Sequence, residues 1–182
     1  MDGVIKHIMH RIVFIGKIAS GKSFASSILQ KKFPKVKKLS FATPVKEIAV
    51  EHFSMTNKDR KLLQIIGTTG RAIDENVWVN KLLSKIHEGR SYVIDDARFI
   101  NECNHLRNKG FSIVYLKVDR ETRIQRIKDL YKENAQNHID NMDDESENQL
   151  RSEDADFVWE VKTEEELYEK IDLLDMIEKV YC

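Results

Sequence analysis

A chain of 182 residues, 41% hydrophobic and 33% charged, carries enough apolar material for one folded core and too much for a disordered coil. Its 30 Lys+Arg balance 30 Asp+Glu, which argues against a broad nucleic-acid footprint or a membrane-surface protein. The apolar runs are strand-sized, residues 1–11 are too polar for a secretory segment, and Cys103 and Cys182 lack C-x-x-C spacing, so a soluble cytoplasmic protein with reduced thiols and no zinc site is expected.

In chain order, the first predicted strand is Arg11–Ile15, a β-branched apolar run that breaks into Gly16-Lys17-Ile18-Ala19-Ser20-Gly21-Lys22-Ser23. A helical pattern follows from about Lys22 to Lys31. Strand, G-x-x-x-x-G-K-S turn and helix together describe a phosphate loop. The glycines let main-chain N–H groups converge on an anion, the helix adds its N-terminal partial charge, Lys22 adds a full one, and the Ser23 hydroxyl is placed to ligate Mg²⁺. Residues Gly16 to Ser23 are therefore the candidate binding site for the triphosphate of ATP.

The basic stretch Lys31 to Lys38 reads as a solvated connection into a short second strand ending near Phe41. Thr43-Pro44 then resembles an N-cap with proline at the first helical position, followed by Val45, Ile48, Ala49 and Phe53 at helical spacing. Two or three more helical segments fill residues 57–87, an excursion larger than a crossover needs and a natural place to hold a second substrate. Gly89 closes it, and Ser91 to Asp96 is a third strand ending in two carboxylates. Of these, Asp95 can hold the water shell of Mg²⁺ and Asp96 can polarise an acceptor. Arg98 can clamp a phosphate through its guanidinium fork.

A helix from about Asn101 to Lys109 and a fourth strand, Phe111–Val118, lead to Asp119-Arg120-Glu121-Thr122-Arg123-Ile124-Gln125-Arg126-Ile127. Arg123 falls inside the apolar stripe of that helix and Arg126 at its margin, which points both into a cleft where they can neutralise a migrating phosphoryl group. Residues 131–156 are polar and acidic without apolar period, as in a mobile segment with a lid; His138 and Glu145-Ser146-Glu147 are candidates for lid contacts. A fifth strand, Asp156–Val161, and a capping box, Thr163 to Glu166, open a final amphipathic helix through Leu167, Ile171, Leu174 and Ile177.

The alternation predicts an α/β protein with a five-stranded parallel sheet and helices on both faces. One domain, 1–182, is expected: a core of 11–43 and 89–182, a helical acceptor-binding insertion of 44–88, and a lid at about 120–150.

The order G-x-x-x-x-G-K-S, Ser40-Phe41-Ala42-x-Pro44-x-Lys46, Leu63-Gln64-x-x-Gly67, Arg71, Trp78-Val79 and Asp95-Asp96-x-Arg98-Phe99-x-Asn101-Glu102 resembles the deoxynucleoside monophosphate kinases of phages and large DNA viruses over nearly the whole chain. The resemblance implies Mg²⁺-dependent transfer of the ATP γ-phosphate to a deoxynucleoside monophosphate, in a monomer or homodimer of the cytoplasm, a host's if the source is viral. Nucleic acid and membranes are not implied as partners. It assigns Lys22, Arg123, Arg126 and Asp96 to catalysis, with Arg123 also on the donor. Ser23 and Asp95 fall to the metal, and Lys46, Gln64, Arg71, Trp78, Asp96, Arg98 and Glu102 to the acceptor, Trp78 as a wall for the base. Phosphomevalonate and dephospho-coenzyme A kinases share the architecture, so a small-metabolite kinase is the alternative. A GTPase switch is disfavoured, because Asn57-Lys58-Asp59 lacks N-K-x-D spacing and no D-x-x-G follows the third strand.

Overall fold

The computed structural model describes residues 10–140, 142 and 149–181. Five strands form one parallel sheet in the order β2-β3-β1-β4-β5: β1 (Arg11–Ile15), β2 (Lys37–Leu39), β3 (Tyr92–Ile94), β4 (Ser112–Lys117) and β5 (Phe157–Glu160). The expected sheet is thus present, its central strands short apolar runs because both faces are covered.

Alternation along β1 divides the core. Val13 and Ile15 join Phe41, Val45, Trp78, Val79, Leu82, Leu106 and Ile113 on one face. Ile12 and Phe14 join Ala25, Ile28, Leu29, Val114, Trp159, Leu167 and Ile171 on the other. The first face is covered by α2 (Ala42–Phe53), α4 (Val77–Leu83) and α5 (Ile100–Arg107), the second by α1 (Lys22–Lys32) and α8 (Glu164–Tyr181). α3 (Arg60–Ile73) packs on α2 and α4. Among the described residues no helix is long and apolar enough to cross a membrane.

β1 lies between β3 and β4, with Val13 level with Ile94. The loops leaving β1 and β3 therefore emerge side by side at the carboxyl end of the sheet, where open α/β folds place ligands. The capping box of α8 forms as expected: the Thr163 hydroxyl accepts the Glu166 N–H at 3.3 Å, and the Glu166 carboxylate accepts the Thr163 N–H at 3.4 Å and the Lys162 N–H at 2.7 Å.

Two local expectations are corrected. α2 begins at Ala42 rather than after a Thr43 cap, and its leading amides are satisfied by Asp96, whose carboxylate accepts from Phe41 N at 3.1 Å and Ala42 N at 3.0 Å. After α6 (Arg120–Tyr131), residues 135–140 form a helix that the polarity of the stretch does not suggest. α7 (Ala135–Asp140) contributes Ala135 and Ile139 to a cluster with Ile124, Ile127 and the loop residues Ile18 and Ala19, and Met142, just beyond the helix and 0% exposed, joins it. His138 stacks on Tyr131 with centroids 3.8 Å apart. Glu145-Ser146-Glu147 and the side chains of Leu174 and Ile177 lie outside the described residues.

Candidate active site

The turn after β1 is wound around positive φ angles at Gly16 (139°), Ala19 (59°) and Gly21 (94°). A Cβ on Gly16 would stand 2.7 Å from the Leu116 carbonyl oxygen and 2.9 Å from Ser20 Oγ, so only glycine lets the loop lie this close to β4. Lys22 folds back across the turn, its Nζ donating to the carbonyls of Gly16 at 2.7 Å and Lys17 at 2.9 Å. Among the described residues Ser20 Oγ is buried with no hydrogen-bond partner, and Ser23 is exposed at the first turn of α1. A concave glycine turn, a cation bridging its rim and an orphaned hydroxyl fit the polyphosphate of a nucleotide.

α6 brings Arg126 to this loop. Asp119 caps the helix by accepting the Thr122 N–H at 2.8 Å, which fixes the phase of the residues that follow. Arg126 Nη1 donates to the Ala19 carbonyl and Nη2 to the Lys162 carbonyl, both at 3.3 Å, and Nη1 stands 3.7 Å from where a Gly21 Cβ would be. Arg123, one turn earlier on α6, is buried at 4% exposure, close enough to Tyr115 to oppose the upward push that burial gives that phenol.

Beyond β3 the carboxylates diverge. Asp95 is 6% exposed and accepts a hydrogen bond from Lys38 Nζ at 2.6 Å. Lys38 thus reaches the site from β2 instead of being a solvated lysine of the basic stretch, while Lys32 pairs with Asp172 on α8. Asp96 accepts from the Ser40 hydroxyl at 2.6 Å as well as from the two α2 amides. Asp96 is thus tied to the start of α2 by three donors, Phe41 N on Oδ1 and Ser40 Oγ and Ala42 N on Oδ2.

The acceptor side is built on α3 and the β3–α5 loop. Arg71 lies over the Phe99 ring, 4.5 Å from its centroid, a cation–π contact that aims the guanidinium across the loop. Burial draws the Arg71 pKa down; Glu102 opposes this and Arg98 reinforces it, so the three charges share one neighbourhood. Arg98, Lys46 and Gln64 are exposed, and Gln64 sits seven residues before Arg71, on the same face of α3.

Two residues assigned to the acceptor have other tasks. Trp78 is 4% exposed in the core and donates its indole N–H to the Gly67 carbonyl at 2.9 Å, so it packs α4 onto α3 instead of forming a wall for a base. A Cβ on Gly70 would fall 2.4 Å from Trp78 Cζ2. Gly70→Ala is therefore expected to cost about 1–2 kcal/mol despite alanine's better helix propensity, seen as a Tm lower by several degrees in calorimetry.

Glu102 is likewise turned away from solvent. Its carboxylate accepts the Arg98 N–H at 2.7 Å and the Phe99 N–H at 3.1 Å, holding the loop that presents Arg98. Burial pushes its pKa up to about 7 against the pull of those two N–H donors; Asp96 adds to the rise and Arg71 opposes it. The folded protein then keeps a proton that the unfolded chain releases near 4.5, so this contribution is full below that pH and lost as pH rises to about 7. Between pH 5 and 8, urea unfolding is expected to show Glu102→Gln gaining about 2–3 kcal/mol relative to the wild type.

Lys38, Ser40 and Phe99 are the contributors that sequence reasoning left unassigned. Ser40 and Phe99 stood inside quoted motifs, whereas Lys38 became visible only through the register that sets it level with Val93, two residues before Asp95.

Residues 12–156 match the family model described as an AAA domain, AAA_18. The chain belongs to the AAA_18 family. A search of curated proteins returns no match. Among solved structures, this AAA_18 chain resembles shikimate kinase from Acinetobacter baumannii in complex with shikimate (18% identity, TM-score 0.62, covering 94% of this chain and 95% of that one). It also resembles a gluconokinase from Sinorhizobium meliloti 1021 (15% identity, TM-score 0.55, 96% and 97% covered) and shikimate kinase from Bacteroides thetaiotaomicron (13% identity, TM-score 0.55, 94% and 99% covered). At these identities the likeness establishes a phosphate-loop kinase fold.

Proposed function

We propose that this protein transfers the γ-phosphate of ATP to a deoxynucleoside 5′-monophosphate. The observation that carries the reading is the pairing of two cationic sites on adjacent loops. Lys22 and Arg126 border the glycine turn after β1, and Arg71 and Arg98 border the loop after β3. Such a pair suits one phosphorylated donor and one phosphorylated acceptor meeting between them.

In this scheme the loop amides and Lys22 grip the donor, and the guanidiniums of Arg71 and Arg98 hold the acceptor phosphate, with Lys46 and Gln64 within the same insertion. Arg126 and Arg123 supply positive charge where the transferred group develops it. Glu102 and Asp96 position the loop of Arg98 and the start of α2. Ser23 and Asp95 would hold Mg²⁺, which offsets charge on the donor phosphates; one hydroxyl and one carboxylate suit an ion that keeps most of its water and phosphate ligands. The site then needs no base of raised pKa, because positioning and electrostatics carry most of phosphoryl transfer.

A small-metabolite acceptor is the second reading, favoured by the fold's likeness to shikimate kinases and a gluconokinase. ADP release, coupled to NADH oxidation, separates the two. A panel of dAMP, dCMP, dGMP and dTMP, their ribose forms, shikimate, gluconate, phosphomevalonate and dephospho-coenzyme A is expected to give turnover with at least one deoxynucleotide. Turnover with a metabolite alone would replace the nucleotide reading with the second.

A further inference from the structure

The ion pair between Lys38 and Asp95 has no part in the chemistry above, and we propose that Lys38 is a resident counter-cation that Mg²⁺ must displace. This lysine then sets the Mg²⁺ concentration at which the site loads. The proposal rests on the reading of Asp95 as the metal-facing carboxylate.

Burial favours a cation beside Asp95. The carboxylate is 6% exposed, and an uncompensated charge at that depth is strongly destabilising. Lys38 Nζ, 2.6 Å from Oδ2, answers it. Asp96 is the poorer candidate for the metal's carboxylate, since Ser40 Oγ, Phe41 N and Ala42 N already take three of its acceptor positions.

Topology puts the ammonium where an ion would be. Lys38 is level with Val93, whose side chain faces the α1 side of the sheet with Ile12 and Phe14. Asp95, two residues on, continues that face, and α1 is the helix on whose first turn Ser23 lies. Lys38 therefore crosses to Asp95 on the side of the phosphate loop. Its side chain is 38% exposed on an edge strand, so the ammonium can leave for water at little cost while Asp95 cannot move out. The ammonium and a hydrated Mg²⁺ would compete for the same carboxylate, and competition of this kind raises the ion concentration needed by mass action.

The test is calorimetric binding of a non-hydrolysable ATP analogue across a Mg²⁺ series, with no turnover involved. Lys38→Met is expected to lower the half-saturating Mg²⁺ about tenfold or more, since a charge-assisted hydrogen bond to the competing carboxylate is gone. Lys38→Gln, which keeps a neutral hydrogen bond to Asp95, is expected to shift the same way, and Lys38→Arg to stay near the wild type. In an Asp95→Asn background, Lys38→Met is expected to change nothing. Unchanged or higher half-saturation in both Lys38→Met and Lys38→Gln overturns the proposal. Should Asp95→Asn alone raise the Mg²⁺ requirement while the Lys38 variants match the wild type, the metal role of Asp95 stands and only the counter-cation is lost. Should Asp95→Asn leave the requirement untouched, both fall.

Discussion

Lys22→Ala is expected to abolish phosphoryl transfer, lowering kcat/KM by about a thousandfold or more, while the protein stays folded. The side chain lies across the turn with its Nζ on the Gly16 and Lys17 carbonyls, half-buried and outside the hydrophobic clusters. Its loss removes two hydrogen bonds from a charged donor, so Tm should drop by no more than about 10 °C in a chain of this size. The turn itself is held by backbone geometry at Gly16, Ala19 and Gly21 and by the packing of Ile18 and Ala19 on the α6–α7 cluster, and these do not involve the amine. Circular dichroism and a melting curve beside the coupled assay separate loss of charge from loss of fold. Collapse of the far-ultraviolet signal, or substantial remaining turnover, would be inconsistent with the donor site described.

Arg126→Ala is expected to carry the second largest effect, a fall in kcat of about a thousandfold with a smaller change in KM for the donor. Arg126 spans from the Ala19 carbonyl to the Lys162 carbonyl, and both acceptors are main-chain groups that water can satisfy when the guanidinium leaves. Arg123 is the less informative partner for mutagenesis, because it is buried and its removal leaves a cavity under α6 along with the lost charge. Arg126→Lys keeps the charge without the fork and should recover only part of the rate. Single-turnover kinetics with saturating donor would reveal whether the deficit lies in transfer, as expected, or in binding.

The architecture was legible because its signals are local. β1, the glycine turn and α1 follow one another within residues 11–32, and the apolar runs of β3 and β4 are short, continuous and bounded by turn residues, as buried parallel strands are. The arginine spacing on α6 was equally local, since the side chain of residue 123 shares a stripe with Ile127 whatever the rest of the chain does.

What failed to show was set by partners far away in sequence. The cap of α2 comes from Asp96, 54 residues beyond Ala42, so Thr43-Pro44 looked like the start of the helix when it is already inside it. Trp78 could be a wall or a core residue until Gly67 and Gly70 were seen to leave it a slot on α3. Lys38 was one lysine among several until strand register set it beside Asp95. α7 was hidden by composition: three apolar residues carry its packing within an otherwise polar stretch, too few for a periodic signal.

The central claim is that the loop after β1 holds a nucleoside triphosphate whose terminal phosphoryl group passes to a second, phosphorylated molecule on the β3 side. Incubation with ATP labelled at the γ-phosphorus and each deoxynucleoside monophosphate in turn, followed by chromatographic separation of the labelled products, measures this directly. The expected result is label in a deoxynucleoside diphosphate, absent with Lys22→Ala. Label recovered only as inorganic phosphate, or left in ATP with every acceptor, would contradict it.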